Sequence, residues 1–97
     1  MKPSQALCLY REDLRALALE RGLVEVRVFG STARGEDRED SDLDLLLTVD
    51  AAGTLFPAMG FILEAQRRFP GVAIDAVTNI MARPEILNAA MREGFLL

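Results

Sequence analysis

Apolar residues recur at helical spacing between Ser4 and Arg21, at Leu7, Leu14, Leu17 and Ala18, and predict a first helix that Ser4 caps and Gly22 stops. The pattern then changes period. Val24 to Phe29 alternates apolar and polar with valines on one side, which predicts a half-buried strand, and Gly30 ends it. Ser31 to Ser41 is small, polar and charged and carries Gly35, so a turn with room for one short helical turn is expected. Leu43 to Val49 reads as a second strand, covered on both faces where Leu45, Leu46 and Leu47 run together, with Asp42 and Asp44 at its open beginning.

A loop at Ala51, Ala52 and Gly53 leads to a second long helix that Thr54 caps. Its apolar side is traced by Leu55, Met59, Ile62, Leu63, Gln66 and Phe69, and Pro70-Gly71 stops it. Val72 to Val77 alternates as a third strand, and Pro84 to Arg92 forms a short last helix with Ile86, Leu87, Ala90 and Met91 apolar. No repeat, linker or low-complexity segment interrupts this order. The expected fold is α/β in the broad sense (α+β): a small mixed sheet of at least three strands, helices on one face and the carboxylates on the other. Strand order is not readable from the sequence.

Composition narrows the picture. The chain has 97 residues, 51% apolar and 27% charged, which suits one folded domain over 1–97 and is too hydrophobic for a disordered chain. Eleven basic residues against 15 acidic ones leave a net charge of −4, the wrong sign for gripping a nucleic-acid backbone. A small phosphate-bearing ligand remains compatible if divalent cations supply the positive charge. Cys8 is the single cysteine and there is no histidine, so neither an internal disulfide nor a Cys/His metal site is expected. Cys8 and the methionines are expected to fill the core. No signal peptide or membrane-spanning run is visible, and a cytoplasmic location is expected.

The chemistry concentrates in the aspartates. Successive strand residues face opposite sides, so Asp42 and Asp44 project together with Cα atoms roughly 6.6 to 6.8 Å apart. Two ionised carboxylates beside an apolar core call for open solvent or a positive partner. Mg²⁺ suits such a pair because it takes oxygen ligands and shares its shell with water and substrate phosphates, and a two-ion site spans a similar distance. Asp75 interrupts the third strand and joins the cluster if that strand lies beside the second. There it would ligate an ion and take a proton from an attacking hydroxyl. Gly30-Ser31, at the exit of a strand, offers backbone N–H groups and a hydroxyl to phosphate oxygens. An EF-hand does not fit, because no register puts glycine sixth and glutamate twelfth.

The run from Gly30-Ser31 through Ala33-Arg34-Gly35 to Asp42-Leu43-Asp44 resembles the signature of the nucleotidyltransferase superfamily related to DNA polymerase beta. Its spacing looks most like the minimal nucleotidyltransferases of the MntA type. Asp75 matches the third family carboxylate, and the stretch from Arg92 to Leu97 is similar to the family's usual ending. The resemblance implies two Mg²⁺ ions, ATP as substrate, and a helical HEPN-domain partner in a toxin–antitoxin pair, with AMP placed on a tyrosine of that partner. It assigns Gly30 and Ser31 to the triphosphate, Asp42 and Asp44 to metal, Asp75 to completion of the site, and Arg34 to a weaker phosphate contact.

The sequence stops soon after the third strand, so acceptor recognition is expected from a partner chain or a homodimer, with Phe95, Leu96 and Leu97 in that contact. Ordinary roles stand beside these. The aspartate pair would also serve as a solvated strand entrance, Asp75 as a partner for Arg67 or Arg68, and Arg34 as a surface charge. The whole chain would alternatively act as a non-catalytic module that neutralises its partner by forming a complex.

Overall fold

The computed structural model describes residues 1–50 and 53–97, so the loop expected at Ala51 and Ala52 lies outside the described residues. The elements run α1 (Pro3–Glu20), β1 (Glu25–Phe29), α2 (Gly30–Ala33), β2 (Leu43–Thr48), α3 (Phe56–Arg68), β3 (Ile74–Thr78), α4 (Pro84–Glu93) and β4 (Phe95–Leu96). They form one mixed sheet of order β3-β2-β1-β4. β1 is antiparallel to both β2 and β4, whereas β2 and β3 are parallel.

The register sorts the side chains. Val28, Leu45 and Ala76 lie side by side on one face, as do Val26, Leu47 and Thr78. This face packs with α1 and α3 into the main core, where Leu14, Leu17 and Phe61 are almost wholly buried. Each such side chain contributes roughly 1.5–3 kcal/mol by leaving water. On the other face Phe29, Asp44 and Asp75 lie abreast, with Arg27, Leu46 and Val77 in the next row. Leu46 and Ala90 of α4 are buried outside the main cluster, and α4 packs against β1 and α2. The run of three leucines is therefore covered on both faces, as its composition predicts.

Several local expectations need correction. Ser4 does not cap α1: the helix begins at Pro3, the Lys2 N–H is taken by Gln5 Oε1 at 3.0 Å, and the Ser4 N–H donates to Asp37 Oδ2 at 2.8 Å. Leu55 is the N-cap of α3, while Thr54 Oγ1 accepts the Phe56 N–H at 3.3 Å. The inward stripe of α3 is Ala58, Phe61 and Ala65, and Met59 and Leu63 are exposed, because small alanines bring the helix close and leave the long side chains outside. Cys8 and all four methionines are exposed, the core being filled by Leu, Val, Ala and Phe.

The apolar tail is also used differently. Phe95 and Leu96 pair with β1 as an edge strand, and Leu97 is buried in the main core. Only Leu96 faces solvent, so most of this tail is occupied within the fold. No helix among the described residues is long and apolar enough to cross a membrane.

Candidate active site

β1 runs straight into Gly30, which adopts φ +73° and opens the four-residue α2. Any side chain there would be strained by the left-handed backbone, and a Cβ would collide with Asp44 Oδ2. The glycine thus lets the turn lie directly against the carboxylate. Gly30 is buried, and Ser31 is half-buried beside it. Arg34 closes the turn, its N–H donating to the Gly30 carbonyl at 3.1 Å.

Asp44 comes from β2 and Asp75 from β3, and the parallel register sets these residues directly opposite one another. Neighbouring strands lie about 4.8 Å apart, so the two carboxylates share a face at close range. The adjacency that the sequence left conditional is thereby met. Asp42 precedes β2 and is exposed, Asp75 is exposed, and Asp44 is half-buried between its neighbours. Burial pushes the Asp44 carboxyl up to about 6, helped by the negative charges of Asp75 and Asp42, while the positive charge of Arg34 acts against it.

Three acidic side chains at one end of a sheet would offer only oxygen donors, the kind a hard divalent cation takes. The raised proton affinity of Asp44 comes first from burial and then from the charges of Asp75 and Asp42, a charge burden that a cation here would relieve. Among the described residues no three acidic, histidine or cysteine side chains converge tightly enough to cage an ion by themselves. An ion here would complete its shell with water and phosphate oxygens, the usual habit of Mg²⁺.

Arg34 is held by Glu36 and Glu93, its Nε donating to Glu36 Oε1 at 2.7 Å and its Nη1 to Glu93 Oε1 at 3.0 Å. Nothing in the sequence pattern points to Glu93, which closes α4 far along the chain. Arg67 and Arg68 both bind Glu64 of their own helix, which accounts for the two cations that an ordinary reading would pair with Asp75.

Residues 7–96 match the nucleotidyltransferase domain family. The chain is 34% identical over 90 residues to the protein adenylyltransferase MntA of Thermococcus cleftensis, covering 90% of this chain and 84% of that protein. A solved minimal nucleotidyltransferase superposes with a TM-score of 0.80 at 38% identity, over 97% of this chain and 95% of the other. The fold alone is shared with the complex of a tri-AMPylated Shewanella oneidensis HEPN toxin and its MNT antitoxin. That likeness has a TM-score of 0.67 at 13% identity, over 91% of this chain and 68% of the other. With a family match over nearly its whole length and the aspartates abreast beside a Gly-Ser turn, the chain belongs to the nucleotidyltransferase domain family, as a minimal member of the MntA type.

Proposed function

We propose that the protein transfers AMP from ATP to a hydroxyl of a helical HEPN-type partner, a tyrosine being the acceptor, and so acts as the antitoxin of a toxin–antitoxin pair. The observation that carries this reading is the register of Asp44 with Asp75 beside the Gly30 turn. It is supported by the likeness to an MntA adenylyltransferase and, for the partner, by the AMPylated toxin in the related complex.

In this reading Gly30 and Ser31 hold the polyphosphate through backbone N–H groups and the serine hydroxyl, and Arg34 adds a charged contact. Asp42, Asp44 and Asp75 would hold two Mg²⁺ ions, which when bound would neutralise phosphate charge and favour ionisation of the attacking hydroxyl. Asp75, at the exposed edge of the triad, accepts the hydroxyl proton. The hydroxyl oxygen forms a bond to the α-phosphorus, the bond from that phosphorus to the oxygen bridging to the β-phosphate breaks, and pyrophosphate leaves with the electron pair.

The test is a calorimetric titration of ATP with and without Mg²⁺, on the parent and on Asp42→Asn with Asp44→Asn, followed by mass spectrometry of a partner incubated with ATP. Metal-dependent binding lost in the double variant, with a mass gain of one AMP on the partner, is the expected outcome. Partner binding with neither ATP binding nor mass gain would replace it with neutralisation by complex formation alone.

A further inference from the structure

Arg34 is gripped from two parts of the fold. Glu36 lies in its own loop, whereas Glu93 is the last residue of α4, 59 positions away. The Glu93 side chain is 21% exposed and that of Arg34 46%, so the inner carboxylate anchors the outer cation. The anchor is itself fixed. Gly94, which follows it, sits so close to β1 that a Cβ would run into the carbonyl oxygens of Ala90 and Val28. The Arg34 backbone is tied to Gly30 at the other end of the turn.

A guanidinium is a rigid planar fork, so fixing Nε and one Nη sets the direction of its remaining donors before any ligand arrives. That removes side-chain freedom which ligand binding would otherwise have to remove. We propose that Glu93 is a positioning residue, clamping Arg34 from α4 so that the guanidinium meets the polyphosphate of a nucleotide seated at Gly30 and Ser31. This rests on the nucleotide-site reading given above. Asp44 senses the same guanidinium as a nearby positive charge.

The experiment is calorimetric titration of ATP and of AMP in Mg²⁺, on the parent and four variants, with thermal melts of each. Glu93→Ala should weaken ATP about tenfold, the scale of one charge-assisted hydrogen bond, and leave AMP nearly unchanged. Glu93→Gln, which still accepts from Nη1, should stay within about threefold of the parent. Arg34→Ala should match Glu93→Ala, and the double variant should bind ATP no more weakly than Arg34→Ala alone. Unchanged ATP affinity in Glu93→Ala, equal losses for ATP and AMP, or additive losses in the double variant would overturn the clamp and leave the nucleotide site standing. A parent that binds no ATP would overturn both.

Discussion

Gly30 carries two demands at once, a positive φ and an open path for the Asp44 carboxylate. Gly30→Ala should cost about 1–2 kcal/mol from the backbone alone, and should lose Mg²⁺-dependent ATP binding because Asp44 must swing aside. Melting curves and calorimetry on the same sample separate the two effects. Asp44 also sets a pH dependence. Its carboxyl titrates near 6 in the fold and near 3.8 when unfolded, so between these values the folded state holds more protons. Metal-free protein should therefore lose stability as pH rises from about 4 to about 6 and level off above. Melts in chelator should show that limb in the parent and not in Asp44→Asn, whose amide does not titrate. At this scale the acids and the Gly-Ser turn are legible in the sequence, because short spacings survive translation into geometry. The hold on Arg34 is not, because Glu93 is brought to it only by the packing of α4.

Among the elements, α1 is joined to the motif loop through its first turn. The Ser4 N–H is one of the donors a helix start leaves unpaired, and the Asp37 carboxylate that takes it is pulled below its usual range chiefly by that bond. Asp37→Ala should destabilise the fold by about 1 kcal/mol, like the loss of a helix cap, with Asp37→Asn intermediate in chemical denaturation. Ser4 reads as a cap because serine before an apolar period usually is one, but Pro3, one position before it, is the first helical residue and moves the boundary back to Lys2. β4 escapes the sequence because two residues are too few to show a period. The inward face of α3 is legible only in part: Phe69 is buried and Leu55 and Ile62 pack against the core as expected, but the main stripe is missed for a similar reason. Ala58 and Ala65 are small enough to be passed over, although their size is what seats the helix on the sheet.

At the scale of the molecule, the mixed sheet and the helix-covered core follow from the alternation of periods, whereas strand order depends on which edges find partners in space. Among the described residues α3 is the helix between β2 and β3, and it closes the parallel crossover. Enlarging its seat should be felt at the other face. Ala65 is fully buried, and Ala65→Leu should overpack the core by about 1–3 kcal/mol and lower the melting temperature by roughly 4–8 °C per kcal/mol. If the sheet yields rather than the helix, Mg²⁺-dependent ATP affinity should fall in the same variant, although Ala65 lies on the core side.

The in-register pairing of Asp44 and Asp75 has a kinetic side as well. In an open chain the two acids are separated by the whole length of α3, and parallel strands make contact only after that loop has closed, a late and entropically costly event. The β1–β2 hairpin already brings Asp42 and Asp44 to the Gly30 turn, but only closure of that loop adds Asp75. On the proposed reading, full ligand affinity should accordingly wait for the β2–β3 pairing, and a copy that loses this pairing keeps only two of the three acids together.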